Sequence, residues 1–270
     1  MKSCIKKKVS LYKKKNAHPV LTVALPMYKV NQIAWLCLES LCNQKDVDFE
    51  WELLTCEEVH AEQFGHEGVQ KFVRRLKNAN CVNIEYIELK YHVLLIDKWN
   101  ILGEHAHESS EAFLLQAGDC HSPSLRLKNT FEAIIINDFD WYDNTKGMFY
   151  SFVSNKMILH NYEGMTNLSI GFKTCYAKRM PKSNLKKGID RLLFKTFKAG
   201  KSQPFKKYED GTLYADSLDT QGHNNISISR ETFFDQVRKP FEPTTFTVKN
   251  LELAPKIKAK LLKMSESYNK

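Results

Sequence analysis

Apolar residues in this chain fall in short bursts between polar turns, and the bursts alternate between two periods. Leu21-Thr22-Val23-Ala24-Leu25 is a continuous apolar run closed by Pro26, the pattern of a buried parallel strand. Asn31 stands at the cap position of a helix starting near Gln32, and Ile33, Leu36, Cys37 and Leu41 then recur at helical spacing. A second strand is predicted from Phe49 to Thr55, ending in Cys56-Glu57-Glu58. Gly68 to Lys77 reads as a helix with Val69, Phe72, Val73 and Leu76 on its buried face, and Val82 to Ile87 as a third strand. A helix follows from Asp97 to about His107, then the strand Ala112–Leu115, which runs into Gln116-Ala117-Gly118-Asp119. Pro123 opens a helix through about Glu132, and Ile134-Ile135-Ile136 reads as a further strand before Asp138, Asp140 and Asp143.

The alternation of strand and helix implies a parallel sheet with right-handed crossovers. The fold class is therefore α/β, a Rossmann-like mixed but mainly parallel sheet flanked by helices. Beyond it the pattern predicts strands around 148–153 and 168–175, a helix from Asp190 to Phe197, and a loop-rich stretch over 200–226. Leu251 to Met264 carries Leu253, Ile257, Leu261 and Leu262 among lysines and reads as a basic amphipathic helix. The expected organisation is a basic lead-in over 1–18, one α/β domain over 19–245, and the basic helix over 246–270.

Charge adds a second layer. The 270 residues carry a formal net charge of +9, concentrated at Lys6, Lys7, Lys8, Lys13, Lys14 and Lys15 and again at Lys249, Lys256, Lys258, Lys260 and Lys263. Such clusters attract phosphates of nucleic acid, anionic lipid or a nucleotide, or else form a solvated face. The seven cysteines are odd in number, irregularly spaced and without a CxxC pair, which argues against a zinc site or a disulfide framework and predicts reduced thiols in a cytoplasmic setting. No apolar stretch precedes Pro19 in the manner of a secretory signal, and no run is long enough to cross a bilayer. Membrane contact, if made, is expected to be peripheral and through the basic ends.

Ligands of such sheets bind outside the carboxyl ends of the strands. The residues there are Pro26 and Tyr28, whose ring can stack on a base; Glu57 with Glu58; and Asp119, an oxygen ligand of the kind hard cations take. Each has a plainer reading as a strand exit, a solvated turn or a turn-former. Lys98 is either a positive charge near a donor or a surface lysine at a helix end.

Taken in order, these stretches resemble glycosyltransferase family 2. The resemblance lies in Val23-Ala24-Leu25-Pro26-Met27-Tyr28, in the helix through Leu38-Glu39-Ser40-Leu41-Cys42-Asn43-Gln44, and in Glu52-Leu53-Leu54-Thr55-Cys56-Glu57-Glu58. Gln116-Ala117-Gly118-Asp119 with Pro123 resembles the family's Asp-x-Asp region, although Gln116 and Gly118 stand where carboxylates are usual. Lys187-Gly188-Ile189-Asp190-Arg191 resembles the later Gly-Glu-Asp segment, and His223 falls where members place a late histidine. The resemblance implies a GT-A fold, a nucleotide-diphosphate sugar donor (a UDP-sugar first among them), a saccharide or glycan acceptor, and inversion at the anomeric carbon. It implies a nucleotide-binding half to about residue 120 and an acceptor half after it. Pro26, Tyr28, Glu57, Lys98 and Gln116 would line the donor site. Asp119 and His223 would serve Mn²⁺ or Mg²⁺, and Asp190 would be the general base.

Two other classes compete. A pseudoenzyme of the same fold would bind the nucleotide sugar without transferring it. A basic nucleic-acid-binding protein, or a glycosyltransferase acting on DNA, would use the lysines with nearby aromatic rings such as Tyr12 and Tyr208.

Overall fold

In the computed structural model, the described residues are 4–28, 34–60, 63–142, 146–151, 156–161, 170–178, 180–181, 193, 226–229 and 244–247, with the strands between 146 and 161 and after 225 described by their backbone. The chain starts with a strand, β1 (Ile5–Lys13), inside the segment read as a basic lead-in. It continues with β2 (Leu21–Met27), α1 (Ala34–Cys42), β3 (Trp51–Glu58), the short helices α2 (Gly65–Gln70) and α3 (Val73–Asn78), β4 (Cys81–Leu89), α4 (Leu95–His105) and β5 (Ala112–Leu115). After β6 (Cys120–His121) come α5 (Arg126–Phe131), β7 (Trp141–Tyr142), β8 (Lys146–Ser151), β9 (Lys156–Asn161), β10 (Gly171–Lys173), α6 (Thr174–Ala177), β11 (Ile226–Ser229) and β12 (Thr244–Thr247).

Seven strands form one sheet in the order β1-β4-β3-β2-β5-β10-β7. Its central four, β4, β3, β2 and β5, are parallel; β1 and β10 add antiparallel flanks. This is the expected mixed, mainly parallel, Rossmann-like sheet flanked by helices. Chain order reverses between β2 and β5, so the topological switch point lies there. A second sheet runs β12-β9-β8-β11-β6.

Alternation along the central strands builds two cores. Leu21, Val23, Leu25 and Met27 of β2 join Cys37, Leu38 and Leu41 of α1 and Leu76 of α3 on one face. Ala24, Leu54 and Cys56 join Ile96, Trp99 and Leu102 of α4 on the other. A strand covered on both faces has no polar side, which is why β2 reads as an unbroken apolar run.

Three expectations change. Ile134-Ile135-Ile136 is not a strand: α5 continues into a π-helical turn over Glu132–Ile136, closed by the Asn137 N–H donating to the Glu132 carbonyl at 2.9 Å. β-Branched residues favour strands, but here a helix already under way from Arg126 carries them along. The helix expected over 68–77 is broken at Lys71-Phe72 into α2 and α3. The strand expected over 168–175 shortens to β10 and gives way to α6. The expected helix from Asp190 (helical at its one described residue, Leu193), the loop-rich stretch over 200–225 and the basic helix over 251–264 lie outside the described residues.

Candidate functional site

The carboxyl end of β2 is shaped by Pro26. The Ala24 carbonyl accepts from the Gln116 N–H at 3.0 Å, so Ala24 faces β5. Two residues on, Pro26 faces the same way, beyond the last β2–β5 pair, Ala24 with Leu115. A residue without an N–H there ends the ladder on that side while β2 stays paired with β3 through Met27 and Glu57. The result is a parting of β2 and β5 at the switch point, the position where sheets of this kind have their ligand crevice. Tyr28 stands beside it, 47% exposed. The His92 ring lies 5.0 Å from it in a tilted arrangement, the His60 ring 6.0 Å away edge-on, and the Lys98 ammonium 5.3 Å from its centroid.

Lys98 is buried, not on the surface. It projects from α4, donates to the Met27 carbonyl at 2.8 Å, and pairs with Glu58 Oε2 at 2.6 Å. Glu58 also accepts from the Val93 N–H at 3.2 Å and faces His92 Nδ1 at 3.2 Å. Its neighbour Glu57 points to the other face of the sheet. There its carboxylate accepts from the Phe64 and Gly65 N–H groups, each at 2.9 Å, and from the Tyr86 hydroxyl at 3.0 Å. Burial and then the Glu57 charge push the Tyr86 phenol upward, keeping it a donor. Glu57 is 0% exposed, and through these bonds it anchors the start of α2. Pro26, Tyr28, Lys98 and Glu58 thus come together, and Glu57 is turned away from them.

At the end of β5, Gln116 is fully buried and its Nε2 donates to the Cys120 carbonyl at 3.1 Å and the Ala117 carbonyl at 3.3 Å. Burial pushes the Cys37 thiol beside it up to about 12, so that thiol stays neutral. Asp119 is solvent-exposed, yet enough protein surrounds it for desolvation to raise its carboxyl above the usual value; its own N–H and the Cys120 thiol pull the other way. The turn is stapled to α1 by two residues from the Ser-Leu-x-x-Gln stretch. Ser40 Oγ accepts from the Ser122 N–H at 2.9 Å, and Gln44 donates to the Pro123 carbonyl at 2.8 Å and accepts from the Leu127 N–H at 3.0 Å. These two polar residues next to apolar helix positions were the available sequence signal; their partners lie about 80 residues away and carried none.

Asp190 and His223 lie outside the described residues. β11, which begins three residues after His223, pairs with β6, which begins one residue after Asp119. Among the described residues no three His, Cys, Asp or Glu side chains gather as a metal site would require. A groove of about 770 Å³ lined by Val47, Phe49, Phe131 and Ile136 lies at the amino end of β3, away from the switch point.

No known family model matches this sequence, and no curated protein matches it. Among solved structures, S. aureus TarS residues 1–349 aligns with a TM-score of 0.49 and 14% identity over 84% of this chain. The mannosyltransferase PcManGT from Pyrobaculum calidifontis, in complex with GDP-Man and Mn²⁺, aligns at 0.33 and 17% over 50% of this chain and 36% of its own. The 4-diphosphocytidyl-2C-methyl-D-erythritol synthase from Anaerococcus prevotii aligns at 0.40 and 10% over 92% of this chain and 97% of its own. This chain spans 60% of the TarS fragment. All three are too distant to carry residue roles from one chain to another.

Proposed function

We propose that this chain is a glycosyltransferase similar to family 2, moving a sugar from a nucleoside-diphosphate donor to an acceptor hydroxyl with inversion. The observation that carries the reading is the parting of β2 and β5 at the switch point, begun at Pro26 and flanked by the exposed ring of Tyr28. It coincides with the stretches whose sequence resembles that family. Tyr28 stacks on the base, and the neutral Lys98–Glu58 pair beneath it fixes the end of β2. Gln116 and the turn after it close the β5 side.

In the transfer, Asp190 takes the acceptor hydroxyl's proton as that oxygen bonds to the anomeric carbon. The bond from that carbon to the β-phosphate oxygen breaks, and its electron pair leaves with the nucleoside diphosphate. His223 contacts the departing diphosphate; the pairing of β11 with β6 supports that assignment. The acceptor is a saccharide or glycan, received by the part of the chain after about residue 120. The basic segment over 246–270 gives a peripheral contact with an anionic surface.

The nucleic-acid alternative loses support in the N-terminal segment. Lys6 pairs with Glu88 at 2.9 Å, Lys8 with Glu85 at 2.7 Å, and Lys14 with Glu50 at 2.5 Å, so these lysines already face carboxylates.

The test is release of nucleoside diphosphate from UDP-, GDP- and dTDP-sugars with saccharide acceptors. Asp190→Asn is expected to lower kcat by about 10²–10⁴-fold while leaving donor affinity unchanged. Binding without release by the wild type would favour the pseudoenzyme.

A further inference from the structure

The groove at the amino end of β3 has one wall from residues 46–49, which lead from α1 into β3, and the other from α5 and the π-helical turn after it. Phe49 and Phe131 stack within it, ring centroids 4.2 Å apart and planes 6° from parallel, and Val47 lines it with them. Ile136 stands on the second wall, 65% exposed, more than any other large apolar side chain among the described residues. Carboxylates lie on both walls. Asp46 and Asp48 are exposed on the first, and Glu132 is half-buried on the second. Lys128 joins the walls by pairing with Asp46 at 3.4 Å, while Asp48 and Glu132 make no ion pair among the described residues.

An exposed apolar concavity rimmed by polar groups marks an interaction surface. The acidic rims of this one repel lipid and nucleic-acid phosphates and attract a cationic partner. Grooves of this kind take an amphipathic helix through anchors at i, i+4 and i+7. The chain itself carries such a stretch at residues 255–264. Pro255 suits a first helical position, and Ile257, Leu261 and Met264 follow at the anchor spacing. At about 3.6 residues per turn, Lys258 and Lys260 flank that stripe on opposite sides, and Lys256 and Lys263 fall farther round.

We propose that residues 255–264 dock as a helix in this groove of the same chain, with Ile257, Leu261 and Met264 against Phe49, Phe131 and Ile136. Lys258 and Lys260 then face the carboxylates of the two walls, one to each. Lys256 and Lys263 stay on the outer side, where they serve the peripheral contact with an anionic surface. The inference does not depend on the donor-binding reading, since the groove lies at the other end of the sheet.

The experiment is amide hydrogen exchange on the full chain, read over 257–264 and, as a control for folding, over β2 and β3. In the wild type, exchange over 257–264 is expected to be slowed by about tenfold or more relative to an unstructured chain. Ile136→Glu, at an exposed position, should remove that protection and leave β2 and β3 protected. A second route uses the rims: Asp48→Lys with Glu132→Lys should speed exchange over 257–264 severalfold, and adding Lys258→Glu and Lys260→Glu should slow it again. Unprotected amides over 257–264 in the wild type, protection that survives Ile136→Glu, or charge reversals that fail to restore it would overturn the proposal. Protection that rises with protein concentration, as light scattering shows the mass doubling, would also overturn it, because a second copy would then fill the groove.

Discussion

Glu57 and Glu58 are neighbours in sequence and serve opposite faces of the sheet, because successive side chains of a strand alternate. Glu58 neutralises Lys98 beneath Tyr28; Glu57 receives the amides that lead into α2. Removing one partner of a buried pair leaves the other uncompensated, so Lys98→Met should destabilise the fold by about 3–5 kcal/mol in urea titration. Adding Glu58→Gln to that variant should recover a large part of the loss; equal destabilisation in the double variant would show that packing, not charge, is what Lys98 supplies. Pro26, Tyr28 and the carboxylates at 57 and 58 were legible as strand-end residues, since a run's end can be read from its apolar stretch. Which glutamate lies beneath Tyr28 was not legible, because that depends on register. Nor was the burial of Lys98, whose partner sits 40 residues away.

At the scale of elements, β2 to β5 were legible from their apolar runs and β1 was not. Its lysines mask the pattern: Val9, Leu11 and Tyr12 pack on the core, while Lys6 and Lys8 answer Glu88 and Glu85 of β4. Cross-strand pairs of this kind stabilise a sheet edge, and they join residues too distant for local periodicity to register. The break between α2 and α3 and the π-helical turn after α5 were missed for a related reason, since both keep apolar residues buried without keeping one period. Helix α4 tests the packing directly. A Cβ added at Gly103 would stand 2.6 Å from the Ala177 carbonyl oxygen, backbone that cannot turn aside. Gly103→Ala should cost about 1–3 kcal/mol in urea titration. A neutral or stabilising result would mean that α4 and α6 are not in this contact.

For the whole molecule, the sheet order is what gives the switch point its place. Four parallel strands in the order β4-β3-β2-β5 leave one switch point, and the residues there are the ones the sequence offered: Pro26, Tyr28 and, across the gap, Gln116. The part of the chain after about residue 120 was far less legible, because surface loops obey no period and the described strands of the second sheet are short. The central claim is that a nucleotide stacks on Tyr28 at this switch point. The most direct measurement is a thermal-shift panel of UDP, GDP, dTDP and CMP sugars on the wild type and on Tyr28→Ala. The account predicts that one nucleotide raises the melting temperature, and that Tyr28→Ala weakens its apparent affinity by roughly tenfold or more, the worth of a base–aromatic stack. A panel that leaves the melting temperature unmoved at saturating concentrations, or a shift that survives unchanged in Tyr28→Ala, would contradict it.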